Sequence, residues 1–206
     1  MQVHGLFEQR ENLIFRKSAY LQWGDSKEVI GSIILHNPGG AKLEKNLWND
    51  LNSGKITVAE GQITRDLGKI NLIEKVMKKV FTPLEGRLLL LNLFNIVESD
   101  PDLAIEKFHS VKDDPLYSEL LYPNISLLSD IPWIWIAWTT NESRIEELIE
   151  RIEPQLISLP HKRFIGDIDE KPHRKFGYSI KAKYPPIADV KRDKLAEILK
   201  RQIKEF

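Results

Sequence analysis

Asparagine side chains and small turn residues cluster where three apolar segments of the chain end. The first segment runs into the sequence HNPGG at residues 36–40, the second contains Asn92 and Asn95, and the third runs into Trp138 and the polar residues 139–141. Amides and an imidazole can hold a polar ligand or a water molecule, and glycine lets the backbone adopt positive φ or approach a ligand closely. These residue types predict a ligand-contact site formed by His36, Asn37, Gly39, Gly40, Asn92 and Asn95.

A purely structural interpretation also exists for each of these residues. Asn37 stands before Pro38, and an asparagine in that position commonly bonds the local backbone of a turn. Gly39 and Gly40 are consistent with relief of steric strain alone. Asn92 interrupts an otherwise apolar segment, and a buried amide needs hydrogen-bond partners. Asn92 is therefore a stronger candidate for ligand contact than Asn95.

The segment from His161 to Tyr178 is a second candidate for function. It combines histidines, lysines and arginines with aromatic residues, and this mixture suits phosphate contact and base stacking. A solvated β-hairpin has a similar composition, and three acidic residues dilute the basic character. From this segment the sequence predicts His173, Arg174 and Tyr178 as site residues.

Three nearly continuous apolar segments must position these groups, at residues 29–36, 87–96 and 132–138. Strands that are covered on both faces look like this, and amphipathic helical patterns separate them. We therefore predict one α/β domain over residues 1–206, a three-layer sandwich with a central, mostly parallel sheet of about four to five strands flanked by helices. Ligands of such sheets bind beyond the carboxyl ends of the strands, which is where the asparagines lie.

Composition and missing motifs narrow the classes of function. Lysine plus arginine equals aspartate plus glutamate at 30 each, so the net charge is zero. The net charge therefore gives no indication of nucleic-acid binding. The chain has no cysteine, which excludes disulfides, thiolate metal sites and a cysteine nucleophile. It has no GxGxxG, Walker A or GxSxG sequence, and its histidines show no metal-ligand spacing. We predict no cofactor and no metal, no membrane partner, and a cytoplasmic location.

The motifs occur in an order that resembles the family called domain of unknown function 1643. The matching residues are HNPGGA at 36–41, NLF at 92–94, DPDL at 100–103 and GDIDEKPH at 166–173. The resemblance covers most of the chain. This chain has Gly39 where that family usually has serine, so no role for a hydroxyl group is carried over. The family has no settled activity to transfer.

A looser likeness is to the uracil-DNA glycosylase superfamily, some of whose members have an Asn-Pro-Gly turn after the first core strand. The likeness implies that Asn37 positions a water molecule, and that His173 or Arg174 on a late loop contacts a base and DNA. It makes the chain, if it is an enzyme, a hydrolase of the glycosylase type that acts on a nucleobase, nucleotide or nucleic acid. The alternative is a non-catalytic module that binds a small ligand or a protein, since no nucleophile or acid–base pair is recognisable.

Overall fold

The computed structural model describes residues 1–65, 68–137, 146–159, 164–165, 168–169, 181–182, 196–197, 199–201 and 203. The strands are β1 (Gln2–Arg10), β2 (Leu13–Trp23), β3 (Val29–Leu35), β4 (Lys42–Leu43), β5 (Val58–Arg65), β6 (Gly86–Asn92), β7 (Ile134–Ile136), β8 (Phe164–Ile165), β9 (Ile168–Asp169) and β10 (Lys181–Ala182). The helices are α1 (Lys45–Asn52), α2 (Gly68–Val80), α3 (Pro101–Val111), α4 (Ser118–Leu121) and α5 (Glu146–Ile157), with a 3-10 turn at Ile125–Leu128.

The main sheet is mixed, and the predicted mostly parallel sheet of four to five strands is wrong. Its eight strands lie in the order β4-β5-β1-β2-β6-β3-β7-β8. Four of the seven pairings between neighbours are antiparallel, and the other three, which join β6, β3, β7 and β8, are parallel. An antiparallel half is thus joined through β2 and β6 to a parallel half.

The alternation that is typical of antiparallel strands is weak in the sequence of the antiparallel half. Along β1, Val3, Gly5 and Phe7 face the core, but Gly5 contributes no side chain to the pattern. A methyl group on Gly5 would lie 2.8 Å from the Phe7 ring and 2.9 Å from Ile63. Those two side chains therefore fill the space that a larger residue at position 5 would need. In β5 the inward residues Ala59 and Ile63 are separated by Gly61, which obscures the pattern in the same way. Thr64 lies in β5, although its position before an amphipathic helical pattern suggests a helix N-cap.

In the parallel half, helices pack on both faces of the strands. Numbered along the chain, β3, β6, β7 and β8 lie in the order 2-1-3-4, which is the beginning of a doubly wound sheet. One face packs on α3 and α5, and the other packs on α2 and on Ala196, Leu199 and Ile203. The topological switch point of this half lies beside the carboxyl end of β3, at His36 and Asn37.

The tryptophans of the third apolar segment belong to the core. Trp133 and Trp135 are buried on the same side of the sheet, with α2 and the residues of β2. These two residues therefore pack in the core and do not form an exposed aromatic surface. Trp138 lies outside the described residues.

Candidate functional site

The turn after β3 changes the direction of the chain at the carboxyl edge of the sheet. Gly39 has a φ of 67°, a left-handed conformation that L side chains rarely adopt. The prediction of positive φ in the glycine pair is therefore confirmed at Gly39, and Gly40 is not among the residues with positive φ. After the turn, buried Ala41 leads into the short strand β4.

Asn37 connects this turn to the segment that follows β6. Its side chain is only 7% exposed, and its Nδ2 donates a 3.0 Å hydrogen bond to the backbone oxygen of Glu98. That bond fixes the orientation of the amide, so Oδ1 is the atom left to accept from something else. No other described residue bonds to the side chain of Asn37. The turn thus presents an acceptor at the strand ends.

Asn92 is bound by an arginine that the sequence analysis did not identify. Arg16 is 2% exposed and Asn92 is 1% exposed, and Arg16 Nη2 donates to Asn92 Oδ1 at 2.9 Å. Asn92 is the last residue of β6, beyond the part of that strand that pairs with β2. The two residues therefore meet at the same edge of the sheet as Asn37.

A β-bulge in β2 explains why Arg16 points to this place. Leu6 pairs with Ser18 but Phe7 pairs with Arg16, so Lys17 is an extra residue. Before the bulge, Phe15 packs on the α3 side of the sheet, whereas Ala19 after it packs on the α2 side. Bulges of this kind re-aim side chains, and here the bulge turns Arg16 toward the α2 side. The signal in the sequence was the break of alternation at Arg16 and Lys17.

A small cavity lies between Arg16 and Asn37. It has a volume of about 30 Å³. A buried water molecule needs roughly 10–15 Å³ of such space, so one or two waters fit. Arg16, Asn37 and backbone groups of the turn supply polar contacts there, and the remaining walls are mostly apolar, formed by Val3, Leu35, Pro38, Ala41, Ile63 and Ile70.

An open cleft lies on the other side of the turn. Its volume is about 420 Å³, within the range of roughly 300–1,000 Å³ that is usual for small-molecule sites. The cleft is formed by the tip of the β1–β2 hairpin, the turn, α1, the segment after β6, and α3. Its lining residues are Gln9, Asn12, Leu13, Ile14, Gly40, Lys42, Trp48, Asn52, Val97, Glu98, Ser99 and Lys107.

The charges of the cleft are two lysines and one glutamate among the described residues. Lys107 Nζ lies 2.5 Å from the Glu98 carboxylate, and this hydrogen bond, together with the backbone N–H of Asp100, holds the pKa of Glu98 below its ordinary value despite partial burial. Glu98 is therefore an anion at neutral pH. Lys42 lies over the Trp48 ring, with Nζ 5.5 Å from the ring centroid.

The other predicted site residues have different surroundings. Asn95 donates both amide protons to the protein, to the backbone oxygens of Leu120 and Tyr122 at 2.9 Å each, and so holds the segment around α4. The His36 ring contacts the Phe94 ring edge-on, with centroids 5.6 Å apart. His173, Arg174 and Tyr178 lie outside the described residues.

The structure thus brings part of the predicted site together. Asn37 and Asn92 both approach Arg16, as the parallel strands predicted, whereas Asn95 has a structural role. The sequence analysis did not identify Arg16, the hairpin tip or α1 as parts of the site. The reason is that the pairing of the antiparallel strands, which brings them to the turn, was not predicted. Within the part of the chain that the structure describes, no group of three or more histidine, aspartate or glutamate side chains could hold a metal ion. None of the described helices is long and apolar enough to cross a membrane.

Comparison of the chain with protein-family models, with curated proteins and with solved structures found no match.

Proposed function

We propose that this protein binds a ligand carrying a nucleobase, such as a nucleotide, in the open cleft at the carboxyl edge of its sheet. The observation that carries the proposal is the composition of the cleft wall. An indole, three side-chain amides and two lysines line one cleft of ligand size.

Each kind of group matches one part of such a ligand. The ring of Trp48 suits stacking with a flat base, an interaction worth about 1–3 kcal/mol per base. The amides of Gln9, Asn12 and Asn52 can donate to and accept from the edge of a base. The lysine ammonium groups suit an anionic substituent.

A second candidate function, hydrolysis of a glycosidic bond, is favoured by the small cavity at Asn37. A water molecule there could accept from the Arg16 guanidinium and donate to Asn37 Oδ1, which is the water-positioning role that the glycosylase likeness implies. The arrangement lacks a strong base among the described residues that line either hollow. Glu98 is the only carboxylate among them, and its lowered pKa makes it a weak proton acceptor. Binding is therefore the function that the geometry supports better.

Thermal unfolding with a panel of free bases, nucleosides, nucleotides and deaminated or mismatched DNA tests the proposal. A ligand at one hundred times its dissociation constant should stabilise the fold by about 2.7 kcal/mol, and the melting temperature should rise accordingly. If no compound of the panel shifts the melting temperature, the proposal is wrong.

Chromatography of the recovered ligand then separates binding from hydrolysis. Unchanged ligand supports a binding protein. Release of a free base that disappears in Asn37→Ala, with the affinity retained, supports the hydrolase.

A further inference from the structure

We infer that the cleft accepts a single phosphate group, so that its ligand is a nucleoside monophosphate in which Lys42 contacts the phosphate and Trp48 stacks on the base. This inference rests on the proposed function and narrows it. It is carried by the difference between the two lysines of the cleft and by the way in which Trp48 is held.

Lys42 is the one cation of the cleft without a carboxylate partner among the described residues. Lys107 lies 2.5 Å from Glu98, so its charge is already compensated. Lys42 lies over the face of an indole, and a cation–π contact leaves its ammonium protons available to oxygen acceptors. The cleft therefore offers one excess positive charge to its ligand.

One excess charge suits one phosphate group. A protein that binds a polynucleotide typically neutralises several phosphates at once, often about 6–10. A triphosphate site likewise uses a lysine together with a cradle of backbone amides and a metal ion. The described lining of this cleft has two lysines, of which Lys107 is paired with Glu98, and no Walker A sequence. A phosphate monoester of about −1.5 to −2 at neutral pH is the charge that a lone ammonium and neighbouring amides can balance.

The packing of Trp48 prepares the indole for stacking. The fully buried Phe7 ring meets it edge-on, with centroids 5.9 Å apart and planes at 90°. Trp48 is anchored in α1 by its backbone N–H, which donates to Glu44 at 2.8 Å. The contact with Phe7 limits the motion of the ring, which is partly exposed at the cleft. A preoriented ring loses little freedom when a base binds to it.

Isothermal titration of the full chain with a nucleoside monophosphate and with the same nucleoside tests the inference. The phosphate should tighten binding about tenfold or more, the effect expected of one charge-assisted hydrogen bond. Lys42→Met should abolish that preference while nucleoside binding remains. Lys55→Met is the matched control, because Lys55 pairs with Asp50 at 2.9 Å and does not line the cleft, and it should keep the preference.

The outcomes separate this inference from the proposed function. If neither compound binds the wild type, the proposed function itself is wrong. If the nucleoside binds as well as the monophosphate, or if Lys42→Met keeps the preference, the cleft binds bases but the assignment of Lys42 is wrong. Tighter binding of a single-stranded oligonucleotide, with an affinity that falls steeply with salt, would overturn the single-phosphate inference in favour of nucleic acid.

Trp48 is tested by two variants of the same position. Trp48→Leu should weaken the nucleoside and the monophosphate alike, because stacking contributes to both. Trp48→Phe should retain most of the affinity, and circular dichroism checks that each variant is folded. Equal affinities of wild type and Trp48→Leu would show that the indole does not stack on the ligand.

Discussion

At the scale of single residues, three asparagines with similar sequence contexts have three different roles. Asn37 presents an acceptor at the turn, Asn92 accepts from a buried arginine, and Asn95 uses both amide protons to hold backbone carbonyls. The sequence predicted that polar groups gather at the strand ends. It could not assign the roles, because the partners of Asn92 and Asn95 lie 76 and 25 or more residues away along the chain.

The contrast between Asn95 and Asn37 predicts an order of stabilities. Asn95→Ala removes two hydrogen bonds, and buried carbonyls left without donors cost about 1–3 kcal/mol each, so we expect a loss of about 2–6 kcal/mol. Asn37→Ala removes one partly buried bond and should cost about 1 kcal/mol. Urea unfolding measures both, and a larger loss for Asn37→Ala would contradict the structural assignment of Asn95.

At the scale of elements, the central strand β3 depends on close contact with the segment that begins β7. Gly31 lies where Trp133 packs, and a methyl group on its Cα would sit 2.2 Å from the indole. Ser32 N also donates to the Trp133 carbonyl at 3.0 Å. The apolar sequence of these strands predicted their burial. It did not predict that one glycine makes room for a tryptophan 102 positions later, since such a fit depends on the register of the parallel pairing.

This contact predicts a non-additive pair of substitutions. Gly31→Ala alone should destabilise the fold by roughly 1–3 kcal/mol, because overpacking forces the ring or the strand to move. Trp133→Leu alone loses packing. In the double variant the alanine should cost much less than in the wild-type background, which a double-mutant cycle of urea midpoints measures. Full additivity would show that the two residues are not in contact.

At the scale of the whole molecule, the chain joins an antiparallel half to a parallel half, and the cleft lies where loops of both meet. The parallel half was predictable, since continuous apolar strands separated by amphipathic helices define it. The antiparallel half was not, because Gly5 and Gly61 hide the alternation and the bulge at Lys17 changes the face of β2. The cleft is lined by residues of both halves. The sequence pattern therefore predicted the turn after β3 as part of the site, but not the hairpin tip and α1 opposite it.

The carboxylates of Glu8 and Glu98 predict how the stability of the fold depends on pH. In Glu8, burial acts to raise the pKa, but hydrogen bonds from Lys17 and Arg10 outweigh it and the net shift is downward. The pKa of Glu98 is lowered through Lys107. Because both folded-state values lie below the ordinary 4.5, the stabilisation is complete above that pH and is lost as the pH falls through the lowered values.

Urea unfolding between pH 7 and pH 3 checks this expectation. The free energy of unfolding should hold steady near neutrality and decline below about pH 4.5, with the decline shallower in Glu98→Gln. Glu60→Gln is the control, since Glu60 is exposed on β5 and forms no ion pair among the described residues, and its profile should match that of the wild type. An unchanged slope in Glu98→Gln would show that the contact between Glu98 and Lys107 does not contribute.

Nuclear magnetic resonance can locate the ligand site, which we expect in the cleft around the Asn37 turn. A ¹⁵N-labelled sample titrated with a nucleoside monophosphate should show its largest amide shifts at residues 9–14, 39–42, 48–52 and 97–99. These residues belong to the hairpin tip, the turn, α1 and the segment after β6. Saturating shifts confined to other parts of the sheet, with no shift of these amides, would show that the cleft is not the ligand site.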